Sequence, residues 1–122
     1  MVRVMRKILI LLSMFLSLYA NELDYKSVIE KIGKEGMVLE LGASTCKACK
    51  EMKIVINELK KTDAILPVHI VDIKENRDAI ARFKIQMIPT QVVLDKSGKE
   101  VYRHIGSLNS EELMQLVALS NK

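Results

Sequence analysis

The chain has 122 residues, with 19 Lys and Arg against 15 Asp and Glu, a formal net charge of +4. Three basic residues and no acidic residue fall in the first 20 positions, so the rest carries 16 basic and 15 acidic residues. This balance, without a basic patch interleaved with aromatics, gives no indication of nucleic-acid binding. Only two cysteines occur, which excludes a small secreted scaffold held by several disulfides.

The first 20 residues predict a cleaved signal peptide. A start with three basic residues precedes an apolar core over residues 8–18, and Ala20 offers a small residue for cleavage before Asn21. The apolar core is shorter than the roughly 20 residues that span a bilayer. We therefore predict a periplasmic or otherwise exported protein. The alternative is an uncleaved N-terminal segment that holds the protein at a membrane.

The remaining residues have the length of one domain and alternate between helical and strand patterns. The spacing of apolar residues predicts helices over 23–34, from the cysteine pair to about 61, over 75–83 and after 109. Strands are expected over 37–41, 66–73, 91–94 and 101–105. Asp24 is the expected N-cap of the first helix, and Asn109 or Ser110 that of the last. In the third helix we expect Ala79, Ile80 and Phe83 to face the sheet.

Both cysteines lie where a strand passes through a short loop into a helix. The first turn of a helix has unpaired N–H groups and partial positive charge, which stabilise a thiolate. We therefore expect the pKa of Cys46 to fall below the free value of about 8.5. Lys47 adds positive charge beside it. Cys49 lies one turn further along, better shielded, and close enough to close a small disulfide ring.

Glu40 interrupts the apolar strand over 37–41. Burying a carboxylate in a central strand is costly unless the group is neutral or paired. Burial would raise its pKa, and such a carboxyl near Cys49 could take and return a proton during exchange. The alternative is that Glu40 points to a polar edge or pairs with a lysine. The apparent facing position on the next strand, however, is Ile70.

These features resemble the thioredoxin family of thiol–disulfide oxidoreductases over residues 24–120. About 40 residues after the CxxC, Ile88-Pro89-Thr90 matches the cis-proline loop of the family. Glu40 falls where the family has a buried acid, and Gly106 matches a glycine at the rim of the active site. The resemblance implies an α/β thioredoxin-like three-layer sandwich over residues 21–122, with a mixed sheet of about four strands and helices on both faces. It also implies a monomer without metal or other cofactor.

The same resemblance assigns roles to individual residues. It makes Cys46, Cys49 and Glu40 catalytic, and it pairs the two cysteines in a redox-active disulfide. The expected substrate-binding residues surround that pair: Thr45, Lys47, Ala48, Ile88, Pro89, Thr90 and Gly106. The chain departs from the family at three of its usual features. Thr45 replaces a Trp, Lys47-Ala48 replaces Gly-Pro, and Lys84 replaces a Gly.

Three functional interpretations follow. The first is an exported reductant of client protein disulfides, in which Cys46 attacks and Cys49 resolves the mixed disulfide. Ile88 before the proline favours it, and so does the lack of the insertions found in periplasmic oxidants and isomerases. Such a reductant needs electrons from a membrane thiol-transfer partner.

The second interpretation is a disulfide donor, because Lys47 would stabilise the thiolate and so the reduced form. The third is a binding module in which the CxxC is a structural disulfide or half of a zinc site. Zinc requires about four ligands, and only His69 and His104 could add to the cysteines.

Overall fold

Four strands form one mixed sheet, described by a computed structural model that covers residues 3–5 and 23–122. They are β1 (Met37–Gly42), β2 (Val68–Asp72), β3 (Thr90–Leu94) and β4 (Glu100–Ile105). Their order across the sheet is β2-β1-β3-β4. β1 pairs in parallel with β2, whereas the β1–β3 and β3–β4 pairs are antiparallel. In the described part of the chain, β2 and β4 are therefore the two edges.

Helices cover both faces of this sheet, as expected from the sequence. They are α1 (Tyr25–Lys31), α2 (Lys47–Thr62), α3 (Asp78–Arg82) and α4 (Ser110–Ser120). Side chains of α1 and α3 pack with Met37, Leu39 and Leu41 in one apolar cluster. Side chains of α2 and α4 form a second cluster on the opposite face of the sheet. Every residue of β1 is buried, which agrees with its nearly continuous apolar sequence.

Polar side chains cap the starts of α1 and α4. The carboxylate of Asp24 accepts a hydrogen bond from the backbone N–H of Ser27 at 2.8 Å. Of the two candidate caps for α4, the structure uses Asn109, which forms a reciprocal capping box with Glu112. Both predicted helix starts are thus explained by a polar side chain that satisfies an otherwise unpaired N–H group.

The prediction for the third helix was wrong in its length and in one buried residue. The segment after β2 is a turn, because the Asp72 carboxylate accepts from the backbone N–H groups of Lys74 and Glu75 at 2.8 and 3.3 Å. Ala79 and Phe83 are buried, but Ile80 is 40% exposed. Residues four apart share one face of a helix, and the next residue points away from it.

Lys84 is the one non-glycine residue with positive φ in the described ranges, at 53°. This conformation costs on the order of 1 kcal/mol for a residue with a Cβ. The guanidinium of Arg103 on β4 donates to the carbonyl oxygens of Phe83 and Lys84 at 2.6 and 3.2 Å. These bonds hold the start of the loop that leads from α3 to Pro89.

Most of the predicted signal peptide lies outside the described residues. Within residues 3–5 and 23–122, no helix is both long enough and apolar enough to cross a membrane.

Candidate active site

Cys46 and Cys49 are joined in a disulfide at the start of α2, with their Cα atoms 5.2 Å apart. Cys46 is the N-cap residue rather than part of the first turn. Its sulfur accepts a hydrogen bond from the backbone N–H of Cys49 at 3.3 Å. The first turn of α2 contains no acidic side chain, and Lys47 within it is exposed. A thiolate at Cys46 therefore meets an N–H donor and positive charge, and both stabilise a negatively charged sulfur.

The two sulfurs have different surroundings. Cys46 is partly exposed, whereas Cys49 is only 8% exposed. Cys49 packs against the last residue of β1, because a Cβ added to Gly42 would lie 2.9 Å from its Sγ. Glycine is thus needed at this position for the close approach of helix and strand. The partly exposed sulfur of Cys46 is accessible enough to attack a partner molecule, whereas the buried sulfur of Cys49 is not.

Three loops meet at this end of the sheet. Thr90 pairs with Leu41 on β1 and with Ile105 on β4, so the chain segments beside these residues leave the sheet together. The peptide bond between Ile88 and Pro89 is cis. The backbone N–H of Gly106, which has a φ of +107°, donates to the carbonyl oxygen of Pro89 at 2.8 Å. The predicted substrate-binding residues of three separate segments are thereby collected around the CxxC end of the sheet.

Glu40 lies two residues before Gly42 in β1 and is 2% exposed. Its Oε2 accepts from Nε2 of Gln91 at 2.9 Å, and its Oε1 has no hydrogen-bond partner in the described structure. Burial raises the pKa of Glu40 to about 7, while the bond from Gln91 acts in the opposite direction. Ile70 on β2 stands opposite. The alternative that Glu40 points to a polar edge or pairs with a lysine is therefore wrong.

A cleft of about 600 Å³ contains both Glu40 and Cys49 in its wall. Lys50 and Lys53 of α2 also line the cleft, as does Ile70 of β2, which stands opposite Glu40. A carboxyl with a pKa near neutrality and a buried thiol thus share one solvent-connected space. Such an arrangement suits the transfer of a proton between the two groups.

The thioredoxin family model matches residues 17–119 of the chain. The chain belongs to the thioredoxin family. Over 85 residues it is 33% identical to thioredoxin from Bacillus subtilis, covering 68% of this chain and 81% of that protein. It is 29% identical over 83 residues to an H-type thioredoxin from Fagopyrum esculentum, covering 68% and 70% of the two chains.

Solved thioredoxin structures have the same fold. A mutant thioredoxin from Halobacterium salinarum superposes with a TM-score of 0.68 at 17% identity, covering 83% of this chain and 88% of that one. Thioredoxin from Fasciola hepatica gives a TM-score of 0.64 at 26% identity, covering 79% and 89%. With the Cys46–Cys49 disulfide, this membership makes the protein a thiol–disulfide oxidoreductase. The interpretation as a non-enzymatic binding module is therefore wrong.

The described residues also bear on the zinc alternative. Both cysteine sulfurs are bonded to each other, and within the described ranges no three His, Cys, Asp or Glu side chains form a group able to hold a metal ion. His69 lies on the edge strand β2. Burial and the nearby charges of Lys60 and Lys31 lower its pKa to about 4.

Thr45, which stands where thioredoxins usually have Trp, has an unforeseen partner. Nζ of Lys74, in the turn after β2, donates to Oγ1 of Thr45 at 2.8 Å. Thr45, Lys47 and Lys74 are all exposed. The surface next to Cys46 therefore carries two cations from two separate segments, and the sequence indicated only the first of them.

Sequence reasoning missed Gln91 altogether. It is fully buried in β3, where it contacts Glu40 and also donates to the carbonyl oxygen of Gly106 at 3.0 Å. Its Oε1 lies 2.7 Å from Nδ1 of His104, which the sequence suggested only as a possible additional zinc ligand. The available signal was one amide in an otherwise apolar strand directly after Ile-Pro-Thr. The hydrogen-bond partners of Gln91 could not be predicted without knowing the strand register.

Proposed function

We propose that this thioredoxin-family protein is an exported dithiol reductant of protein disulfides. The observation that carries the proposal is the difference between the two sulfurs, a partly exposed Cys46 at a helix N-cap and a buried Cys49. Thiol–disulfide exchange needs one accessible thiolate to attack and a second thiol close by to resolve the intermediate.

The proposed reaction starts from the dithiol form. The Cys46 thiolate attacks one sulfur of a client disulfide, the client S–S bond breaks, and the other client sulfur leaves as a thiolate. Cys49 then gives its proton to Glu40 and attacks Sγ of Cys46. The bond between Cys46 and the client breaks, and the client leaves with both sulfurs reduced. The two electrons come from the Cys46–Cys49 pair, which becomes the disulfide.

Client binding is proposed to use the loops around the CxxC. The backbone of Ile88, beside the cis bond to Pro89, would pair with an extended segment of the client next to the mixed disulfide. Thr90 anchors this loop, since its hydroxyl donates to the carbonyl oxygen of Met87. Thr45, Lys47, Ala48 and Gly106 complete the proposed contact surface.

The direction of electron flow is proposed from the residue before the proline. Ile88 is the residue that thioredoxins have at this position, and it favours a reductant. In an oxidising periplasm a reductant must be recharged, so we propose a membrane thiol-transfer protein as the electron donor. The mature protein would act as a monomer.

A disulfide donor is the second candidate, and one structural observation favours it. Lys47 and Lys74 are both exposed beside Cys46, and the first turn of α2 has no acidic side chain. Positive charge stabilises the thiolate, which stabilises the reduced form and makes the pair more oxidising.

The reductase reaction can be tested with the domain over residues 21–122, dithiothreitol as the electron source and a protein disulfide as substrate. The wild-type protein should accelerate the reduction severalfold over dithiothreitol alone, and Cys46→Ser should give only the background rate. Equal rates for both proteins would refute the reductase proposal.

Export can be tested separately by expressing the full chain in a bacterium with a periplasm. The mature protein is expected in the periplasmic fraction, with Asn21 as its first residue by mass spectrometry. Membrane association of the full-length chain would favour the anchored alternative. A full-length protein in the cytoplasm would contradict export.

A further inference from the structure

A row of polar side chains crosses the sheet behind the CxxC. Glu40 on β1 is paired with Gln91 on β3, and Gln91 is paired with His104 on β4. Side chains of directly paired residues project from the same face of a sheet, so the three can touch in sequence. They do, at 2.9 Å between Glu40 and Gln91 and 2.7 Å between Gln91 and His104. This Glu40–Gln91–His104 row runs from a buried carboxyl to a partly exposed ring.

The chemistry of the row fixes the orientation of the Gln91 amide. Its Nε2 faces two acceptors, Oε2 of Glu40 and the carbonyl oxygen of Gly106 at 3.0 Å. A flipped amide would place its oxygen against both of them. Since Oε1 must therefore face His104, Nδ1 of that ring has to carry a hydrogen and donate it. The two acceptors thus set the direction of the amide, and the N–H of His104 holds it in that direction.

We propose that Gln91, oriented by His104, is a positioning residue that holds the Glu40 carboxyl by Oε2 and leaves Oε1 free to exchange a proton with Cys49. The inference rests on the proposed function, in which Cys49 must lose its proton before it attacks Cys46. Oε1 has no hydrogen-bond partner in the described structure, and its carboxyl shares a cleft with Cys49. The amide therefore stabilises the carboxylate without occupying the oxygen that receives the proton.

The row also connects the acid to the client-binding rim. Gln91 donates to the carbonyl oxygen of Gly106, while the N–H of Gly106 donates to Pro89. One buried amide thus holds both the Glu40 carboxyl, which shares a cleft with Cys49, and the loop at Gly106, which lies at the rim of the active site. A change at Gln91 should alter proton transfer and the rim together.

Other charged or titratable groups near Glu40 must stay constant in a test of this row. They line the same cleft from α2 (Cys49, Lys50, Lys53 and Lys60), from β2 (His69 and Asp72) and from the neighbouring segments (Asp24, Tyr25 and Glu75). None of them is changed in the variants below. A shift seen in a variant therefore reports the loss of the row and not a new charge in the cleft.

The test follows the Glu40 carboxyl carbon by NMR as a function of pH, in reduced protein, for wild type and Gln91→Leu. Leu is close in size to Gln but cannot donate. Loss of one hydrogen bond to a charged group should move the Glu40 midpoint upward by about one pH unit. The pH profile of client release from the mixed disulfide should move in the same direction. A folded Gln91→Leu protein with an unchanged midpoint would overturn the proposal.

His104 supplies a second pair of variants that does not disturb the buried strand. His104→Asn keeps a side-chain N–H near the position of Nδ1, whereas His104→Phe removes it. We expect the Glu40 midpoint of His104→Phe to rise by less than that of Gln91→Leu, and His104→Asn to restore the wild-type value. Equal Glu40 midpoints for the two His104 variants would contradict the role of His104. This comparison tests the proposal even if Gln91→Leu does not fold.

These outcomes separate the two proposals. If wild-type protein does not exchange disulfides, the proposed function fails, although the carboxyl titration still tests the row. If wild-type protein exchanges disulfides but its pH profile is the same in Gln91→Leu, only the role of Gln91 fails.

Discussion

The two faces of β1 differ although they alternate along one six-residue strand. Met37, Leu39 and Leu41 enter the apolar cluster under α1 and α3. On the other face, towards α2, Val38 is apolar, but Glu40 is a buried carboxyl and Gly42 lacks a side chain beside Cys49. The first face follows the usual rule for a core, and the second departs from it only near the disulfide.

On the second face of β1, stability has been given up for chemistry. A leucine at position 40 would avoid the cost of a buried carboxyl, and an apolar row would need no oriented amide. The polar row and the glycine lie at the end of the sheet where Cys49 packs. The two faces should therefore respond to mutation in different ways.

The largest effect is expected from the cysteines. Either Cys46→Ser or Cys49→Ser should abolish turnover, because each step of the exchange needs its own sulfur. Only Cys49→Ser should accumulate a mixed disulfide with a client, since the attacking Cys46 remains. Non-reducing electrophoresis with a protein substrate measures this product. Equal trapping by Cys46→Ser would reverse the assignment of the two sulfurs.

Neighbouring substitutions in β1 should change stability in opposite directions. Leu39→Ala opens a cavity in the apolar cluster and should lower the free energy of unfolding by about 3 kcal/mol. Glu40→Gln should raise it at pH 8 by up to about 3 kcal/mol, the equivalent of a pKa increase from 4.5 to about 7.

The sign of the Glu40 effect follows from proton linkage. The unfolded chain loses its proton at lower pH than the buried group, so stability falls from about pH 4.5 to about pH 7 and then stays level. Glu40→Gln should remove this fall and slow client release near neutral pH. Urea unfolding at pH 4 and pH 8 measures the difference. A gain of equal size at both values would contradict a buried, titrating Glu40, and unchanged kinetics from pH 6 to 9 would remove it from the mechanism.

Two glycines provide a matched pair on and off the site. A Cβ at Gly36 would lie 1.9 Å from the backbone oxygen of Ser120, and one at Gly42 would lie 2.9 Å from the sulfur of Cys49. Both Ala variants should be destabilised, Gly42→Ala by about 1–3 kcal/mol and Gly36→Ala by more. Only Gly42→Ala should change the reduction potential of the cysteine pair. An equal change in reduction potential for Gly36→Ala would show that the potential does not depend specifically on the contact between Gly42 and Cys49.

The smallest effect is expected at His69, outside the Glu40–Gln91–His104 row. Its pKa is lowered from 6.5 to about 4, so stability is lost as pH falls through that range, where only the unfolded chain gains a proton. His69→Gln should reduce this acid loss by no more than about 1 kcal/mol, because solvent screens the partly exposed ring. Thermal unfolding at pH 4.5 and pH 7.5 measures it. A loss that is unchanged in the variant would assign the acid sensitivity to other groups.

The sequence predicted the helices, the strands and the cysteine pair, but not the order of the strands in the sheet. Periodic apolar residues, the caps at Asp24 and Asn109 and the CxxC are local signals, and each depends only on nearby residues. Ile80 was wrongly expected to be buried because a single helical turn buries few residues and the Asp72 turn shortens α3.

The Glu40–Gln91–His104 row could not have been predicted in the same way. It depends on the register of three strands, and Gln91 lies 51 residues from Glu40. The sequence did favour a buried Glu40, through the family position, and did place Ile70 opposite it on β2, while a polar edge or a lysine pair stayed open. The contact of Lys74 with Thr45 joins residues 29 positions apart, and local signals in the sequence do not show which side chains the turn after β2 brings together.

The most direct test of the proposed function is the reduction potential of the Cys46–Cys49 pair, measured by equilibrating residues 21–122 against glutathione or dithiothreitol buffers. A reductant should have a value near about −270 mV or lower, as thioredoxin does. A value near about −120 mV, that of a strong periplasmic oxidant, would contradict the proposal and make the protein a disulfide donor.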